Sequence, residues 1–277
     1  LPKDRAVKLT VSTWNINSVR LRIDQVKRFL KERRPDVLCL QETKCPNDKF
    51  PLKELQSFGY PFVVHMGQKG YNGVAILSRY PFSDTSVMEM CGRSDARHIT
   101  VTLSPQAKAA SGLVIHNFYV PAGGDIPDQN LNEKFRHKLQ FMDELRSWGG
   151  RQKPTATPAI LVGDLNVAPL EHDVWSHKQL LDVVSHTPVE TAALEELRQE
   201  AGWVDAMRLL KPEPEKIYSW WSYRSPDWEA ANKGRRLDHI WVSDNMKGAL
   251  RSIDVSRETR GWERPSDHVP VTAVLEF

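Results

Sequence analysis

Apolar and polar positions alternate with period two over residues 8–15, where Leu9, Val11 and Thr13 face away from Thr10, Ser12 and Trp14, and this predicts a strand. Residues 22–32 change period: Ile23, Val26, Phe29 and Leu30 fall at helical spacing. Residues 36–41 form a continuous apolar run, the pattern of a strand buried on both faces. Strands at 62–66 and 73–78 follow, then a strand pair at 98–103 and 113–120. A long helix is predicted over 132–148, with Phe135, Leu139, Met142 and Leu145 in register, before another strand at 159–163. Helices at 191–200 and 203–210 precede strand-like runs at 218–222, 237–243, 252–257 and 269–277.

Strands outnumber helices, and many connections are hairpin-short. That combination predicts an α/β protein of two packed mixed sheets flanked by helices, rather than one doubly wound parallel sheet. The most Gly/Pro-rich stretch, 149–158, is loop-sized, and no repeat divides the 277 residues. A single domain over 1–277 is expected, with 1–7 as a flexible N-terminal tail.

Composition changes this picture little. The chain is 40% apolar and 26% charged, ordinary for a globular protein and unlike a disordered one. No apolar run reaches the roughly 18–20 residues that span a bilayer, and Leu1-Pro2-Lys3-Asp4-Arg5 has no apolar signal-peptide core. Cys39, Cys45 and Cys91 are odd in number and lack metal-site spacing. A reducing, cytoplasmic setting is the expectation. The net charge of +3 is mild, yet local basic clusters at 233–236 and 257–264 can offset an acidic site elsewhere.

The chemistry lies where apolar runs end. Trp14-Asn15-Ile16-Asn17, Gln41-Glu42-Thr43-Lys44, Gly163-Asp164-Leu165-Asn166, Arg236-Leu237-Asp238-His239 and Ser266-Asp267-His268 each place polar groups beside a strand. Five such clusters suggest one metal-assisted phosphoesterase site gathered from the whole chain. Phosphodiester hydrolysis needs a neutralised phosphate, an oriented water and help for the leaving oxygen. Magnesium suits this work because it prefers oxygen ligands and few protein carboxylates, with Mn2+ as a substitute. Glu42 is the leading ligand and Asn15 can share the ion. Asp164 can take a proton from water while Asn166 holds water or phosphate. The same tetrapeptide also reads as an ordinary turn with Asx hydrogen bonds. Asp238 and His268 can pair across strands, the carboxylate fixing the ring's tautomer. Neighbouring Asp267 and His268 can serve together only at a strand end or bulge, since extended neighbours face opposite ways. His239 should point away from Asp238 and be structural.

In this order, the motifs Trp14-Asn15-Ile16-Asn17-Ser18-Val19-Arg20, Leu40-Gln41-Glu42-Thr43-Lys44, Gly70-Tyr71-Asn72-Gly73, Asn117-Phe118-Tyr119-Val120-Pro121, Gly163-Asp164-Leu165-Asn166, Arg236-Leu237-Asp238 and Ser266-Asp267-His268 resemble the exodeoxyribonuclease III and AP endonuclease family. That family lies within the endonuclease/exonuclease/phosphatase superfamily. The resemblance covers nearly the whole chain and implies a DNase I-like four-layer α/β sandwich. It implies Asn15, Glu42 and Asp267 at the metal, Asp164 and Asn166 at the water and phosphate, Tyr119 near the leaving group, and Asp238 with His268 as an orienting pair.

It further implies a magnesium-dependent DNA-repair nuclease that cuts 5′ to abasic sites, leaving a 3′-hydroxyl. Trimming of blocked 3′ ends and 3′→5′ exonuclease activity on duplex DNA go with this expectation. The partner would be double-stranded DNA with abasic sites or blocked 3′ ends, and the protein a monomer that does not engage a membrane. Trp220 and Leu237 would wall a pocket for a baseless sugar, Arg97 would contact DNA, and Arg224 and Arg235 belong to the aromatic–basic stretch expected to meet it. Two positions depart from the family: Ala122 replaces a polar residue, and Asn17 stands where relatives carry Asp. The loop 169–178, with His172, Trp175 and His177, has no counterpart by residue. A phosphatase of inositol phosphates, lipids or RNA tails would share the hydrolytic core, and a nucleic-acid-binding module without catalysis is the alternative of another class.

Overall fold

The computed structural model describes residues 7–151 and 157–277. The first half of the chain runs β1 (Lys8–Asn15), α1 (Ile23–Arg33), β2 (Val37–Gln41), α2 (Leu52–Ser57), β3 (Phe62–Met66), β4 (Val74–Ser78), β5 (Phe82–Ser86), β6 (His98–Leu103), β7 (Val114–Tyr119) and α3 (Glu133–Arg151). The second half runs β8 (Ala159–Asp164), α4 (His177–Leu180), α5 (Pro188–Glu200), β9 (Trp203–Asp205), α6 (Ala206–Leu210), β10 (Trp220–Trp221), α7 (Trp228–Ala231), β11 (Gly234–Arg235), β12 (Asp238–Ser243), β13 (Leu250–Val255) and β14 (Val271–Glu276).

Two six-stranded sheets result, ordered β13-β14-β1-β2-β4-β3 and β5-β6-β7-β8-β12-β9. Each is antiparallel except for one central parallel pair, β1 with β2 and β7 with β8. A parallel pair needs a crossover, and α1 and α3 supply one each. The sheets pack face to face: Val11, Cys39 and Ile76 of the first meet Val101, Ile115, Ile160 and Ile240 of the second. On the outer faces, Leu38 and Leu40 pack with Phe29 of α1, and Leu161 packs with Phe141 and Leu145 of α3. Alternate residues of β2 therefore serve opposite faces, which is why its sequence is apolar throughout. The layers are helix, sheet, sheet, helix, the four-layer sandwich the sequence predicts.

A polar pin crosses the sandwich just beneath the site. Asn117 of β7 donates to the backbone oxygens of Leu40 and Ala75, both at 3.0 Å, and accepts from Gln41 Nε2 at 2.7 Å. All these groups are buried, so each bond removes an otherwise costly unpaired polar atom and fixes one sheet against the other. Gly163 marks a close approach: a Cβ there would lie 1.8 Å from the Phe118 carbonyl oxygen. No larger residue fits between β7 and β8 at that point.

Several predicted elements differ. Residues 203–210 are not one helix: Trp203–Asp205 pairs with β12, and Asp205 then caps α6 by accepting from Met207 N and Arg208 N. The strand predicted at 218–222 shrinks to Trp220–Trp221. Residues 149–151, predicted as loop, continue α3, while 152–156 lie outside the described residues. On α3 the buried stripe includes Phe135, Lys138, Phe141, Met142 and Leu145, with Leu139 only half-buried. Of the expected tail, 1–6 lie outside the described residues, and Val7 exchanges backbone hydrogen bonds with Phe277. No helix among the described residues is long and apolar enough to cross a membrane.

Candidate active site

The carboxyl ends of both parallel pairs open on the same edge of the sandwich. Asn15 lies opposite Gln41 at the end of β1 and β2, and Tyr119 lies opposite Asp164 at the end of β7 and β8. Asp238, first residue of β12, is the antiparallel partner of Asp164. His268 sits in irregular chain before β14 and forms an isolated bridge with Trp220. Because Asp267 is at a bend there, neighbouring Asp267 and His268 both reach the site, meeting the condition that an extended strand would have forbidden.

His268 Nδ1 and Asp238 Oδ2 are 2.8 Å apart, and His268 Nε2 lies 3.6 Å from Asp164 Oδ2. The His268 backbone is gripped as well: Trp14 Nε1 donates to its carbonyl, and its own N–H donates to Ser266 Oγ. Ser219 Oγ donates to Asp238 Oδ2 at 2.6 Å and accepts from Leu237 N and Asp238 N. Asp238 Oδ1 is buried without a partner. Burial pushes the His268 ring down, but the carboxylates of Asp238 and Asp164 more than reverse this and raise it to about 10. The ring is an imidazolium at neutral pH. Burial pushes Asp164 up to about 7, against the His268 cation and with the neighbouring Asp238 charge. Asp164, Asp238 and His268 each present a ligand atom within 4.8 Å of the others.

The segment Gly163-Asp164-Leu165-Asn166 is both a turn and part of the site. Asn166 has φ +53, and its N–H donates to Asp164 Oδ1 at 2.9 Å in an Asx turn. Its Nδ2 donates to Val120 O and Asp164 Oδ2, so the turn itself aims the amide at the carboxylate.

On the facing side, Glu42 Oε1 accepts from Asn15 Nδ2 at 2.9 Å and from the Tyr119 hydroxyl at 2.7 Å, while Oε2 pairs with Lys44 Nζ at 2.8 Å. Burial opposes ionisation of Glu42, yet Lys44, Asn15 and Tyr119 together hold it below the usual carboxylate range. Tyr119, pushed well up by burial and by Glu42 and Asp164, stays a phenol. Asp267 Oδ1 accepts from Asn17 Nδ2 and Oδ2 from Trp220 Nε1. Burial raises Asp267, but His268, Trp220 and Asn17 hold it down.

The expected metal residues Asn15, Glu42 and Asp267 are linked to one another through Asn17 and Lys44. Asn15 Oδ1 accepts from Asn17 N, and its Nδ2 links Glu42 to Asp164, donating to Glu42 Oε1 and, at 2.8 Å, to Asp164 Oδ2. Lys44, which sequence reasoning did not assign, places its ammonium between Glu42 Oε2 and Asn17 Oδ1 at 2.8 and 2.7 Å. A cation held by hard oxygen donors is the arrangement a divalent metal would need, so the residues fit such an ion.

Of these groups Glu42, Asn166, Asp267 and His268 line a cleft of about 780 Å³, which also carries Trp175, Ser185, Trp220, Arg224, Lys233, Arg235 and Leu237. Of the five residues expected at DNA, Trp220, Arg224, Arg235 and Leu237 line it. Arg97 does not. Its Nε pairs with Asp95 at 2.5 Å, Nη1 donates to Tyr119 O, and the guanidinium stacks on the Tyr119 ring, leaving 13% of the side chain exposed. It holds Tyr119 in place. Of the loop 169–178, Trp175 enters the cleft under Lys233, while His172 turns away to pair with Glu213. His239 bonds Val167 O and Arg236, a structural position. Ser219 and Lys138 escaped notice, though Lys138 was detectable as a lone cation in an apolar helical stripe.

Comparison with known proteins places this geometry. The model of the Endonuclease/Exonuclease/phosphatase family matches residues 12–268. Exodeoxyribonuclease III of Haemophilus influenzae is 29% identical over 267 residues, covering 94% of this chain and 97% of that protein. An exodeoxyribonuclease of Bacillus subtilis is 29% identical over 268 residues, 96% and 98% of the two chains. Among solved structures, a Neisseria 3′ phosphatase bound to a product DNA hairpin superposes with a TM-score of 0.88 at 34% identity, covering 97% of this chain and all of that one (100%). An AP endonuclease from Archaeoglobus fulgidus gives 0.88 at 34% identity, with 96% and 99% covered.

Proposed function

The chain belongs to the Endonuclease/Exonuclease/phosphatase family, and we propose that it is a magnesium-dependent DNA-repair nuclease. It hydrolyses the phosphodiester 5′ to an abasic site to leave a 3′-hydroxyl, and trims blocked 3′ ends with the same residues. The observation that carries this reading is the buried Asp164–His268–Asp238 constellation facing Glu42 across one cleft. Curated relatives that match nearly end to end are exodeoxyribonucleases, which supports DNA as the substrate.

The geometry supports the following roles. Asp164 accepts the proton of the attacking water, a task suited to a carboxylate raised towards neutrality. Asn166 holds that water or a phosphate oxygen. His268, kept cationic and in one tautomer by Asp238, faces the charge that develops on phosphate. Glu42 and Asp267 hold the cation, with Asn15 fixing Glu42 and Asn17 fixing Asp267. When bound there, Mg2+ (or Mn2+) would supply charge neutralisation at the phosphate and at the departing oxygen. Tyr119 acts from the leaving-group side as a phenol. Trp220 and Leu237 offer an apolar wall to an extruded baseless sugar, which is cheaper to flip than a stacked base. Arg224 and Arg235 contact the strand. The protein works as a monomer in the cytoplasm.

The test is cleavage of an end-labelled duplex carrying one internal abasic analogue, beside a fully paired control, with and without Mg2+. Incision at the lesion with a 3′-hydroxyl is expected. Shortening of both duplexes from their 3′ ends alone would make the protein an exonuclease, and no cleavage of either would refute the reading.

A further inference from the structure

Lys138 stands on the inward face of α3 between Phe135 and Met142, and its side chain is fully buried. An ammonium has three N–H donors and no acceptor. All three are engaged: Nζ donates to Asn166 O at 2.8 Å, to Ala122 O at 3.3 Å and to Glu190 Oε1. The aliphatic stem is gripped as well. A Cβ at Gly123, where φ is +92, would lie 2.9 Å from Lys138 Cδ, so the chain crosses the stem where only glycine fits. The counterion Glu190 belongs to the cap of α5, its Oε2 accepting from Ser185 N, Thr187 N and Thr187 Oγ1.

The two carbonyls belong to the segments that leave the central parallel pair of the second sheet. Ala122 follows Tyr119-Val120-Pro121 at the exit of β7, and Asn166 follows Asp164-Leu165 at the exit of β8. Asn166 is therefore held from both ends. Its Nδ2 donates to Val120 O and Asp164 Oδ2, and its carbonyl accepts from Lys138. Its φ of +53 is left-handed, a shape that depends on such anchors. Stability alone does not call for an ammonium here. Burial pushes Lys138 down, against the pull of Glu190 and Asp164, and apolar groups of similar volume commonly match a buried ion pair. A methionine would continue the apolar stripe, but it has no N–H to aim at the two carbonyls.

We propose that Lys138 is a positioning residue of the active site, clamping the Ala122 and Asn166 carbonyls so that the Asn166 amide stays aimed at Asp164 and the reacting phosphate. This rests on the nuclease reading above and adds to it a residue that touches neither DNA nor metal. Lys138 acts through Asn166. Released from the clamp, the turn keeps its sequence and its Asx hydrogen bond, but the amide loses its fixed direction.

The experiment measures single-turnover cleavage and DNA affinity of the full chain with Mg2+ on the abasic-analogue duplex. The pair Lys138→Met with Glu190→Gln removes the clamp without leaving a buried charge. It should lower the rate by roughly 10²-fold, the cost of a small misplacement, with DNA affinity within about threefold of wild type. Glu190→Gln alone leaves Lys138 its two carbonyl bonds, so the rate should stay within about threefold while the unfolding midpoint falls. In an Asn166→Ala background the pair should cost less than about threefold more, because its route to the reaction is already gone. Should the pair not fold, Lys138→Gln with Glu190 unchanged replaces it under the same expectations, since glutamine is one atom shorter and cannot reach both carbonyls. An unchanged rate, an equal loss in Glu190→Gln, or losses that multiply in full with Asn166→Ala would overturn the inference and leave the nuclease reading intact. No Mg2+-dependent cleavage by wild-type protein would remove that reading and the inference together.

Discussion

Two buried ionic clusters meet at the start of β12, one on each side of Leu237. Arg236 joins Asp173, Arg208 and Asp205; Asp238 joins His268 and Asp164. In the first, Arg236 Nε and Nη2 bond the two Asp173 oxygens at 2.7 and 2.8 Å, Arg208 adds two further bonds to Asp173 Oδ1, and Arg236 Nη1 reaches Asp205 Oδ2 at 2.9 Å. Two arginines balance two carboxylates, and none of their oxygens is left over. Asp173 is held low, since burial is outweighed by Arg236 and Arg208. In the second, two carboxylates face one imidazolium, Asp238 Oδ1 has no partner, and Asp164 is pushed up rather than down. The saturated cluster fits a structural role, and the unsaturated one fits the catalytic role proposed for it. Both clusters are buried, so the balance and completeness of pairing are what distinguish them.

Substitutions can break that contrast. Asp164→Asn removes the water's acceptor and little surface, so the single-turnover rate should fall by about 10³-fold or more while DNA affinity changes little. Asp238→Asn should cost roughly 10²-fold in rate, with a smaller loss in stability, because the ring of His268 loses its charge partner. His268→Gln should also move the acid limb of the pH–rate profile to higher pH. The sign follows because the His268 cation lowers Asp164, and without it Asp164 protonates earlier as pH falls. An acid limb that stays fixed would show that Asp164 is not the titrating base.

Asp173→Asn should act the other way, destabilising by about 3–5 kcal/mol in urea unfolding, as expected for breaking a buried pair. The smallest effect concerns His239, which burial pushes down to about 4, with Arg236 adding to the fall. A ring with a depressed folded value stabilises above the unfolded value near 6.5, and this is lost as pH falls towards 4. Its share is on the order of 1–3 kcal/mol, and His239→Gln should flatten the stability profile between those limits. A profile that keeps its slope would place the acid sensitivity in the carboxylates instead.

The sequence revealed the clusters at strand ends because a strand's last residue is where an apolar run must stop, and there the polar groups are not needed for packing. Glu42 and Asp164 were legible for that reason, Asp238 because it opens a strand and His268 because it precedes one, while the two-sheet architecture followed from the excess of strands over helices and the short connections. Direction was less legible than position. Arg97 lies on the expected element, but Asp95 and the Tyr119 ring fold it inward, a choice made by partners two and twenty-two residues away. Asn15 was legible as a polar strand end, but not the two bonds its Nδ2 makes to Glu42 and, across the sandwich, to Asp164. Ser219 has no periodic signature, since its role comes from the Asp238 carboxylate nineteen residues on. The short strand Trp203–Asp205 reads as helix because three residues cannot establish a period.

The most direct measurement is the single-turnover cleavage of an abasic-analogue duplex by Asp173→Asn, with Mg2+ and at a temperature low enough to keep it folded. The saturated cluster is structural, so the rate should stay within about tenfold of wild type despite the large loss in stability. A fall as deep as that of Asp238→Asn would contradict the division between the two clusters.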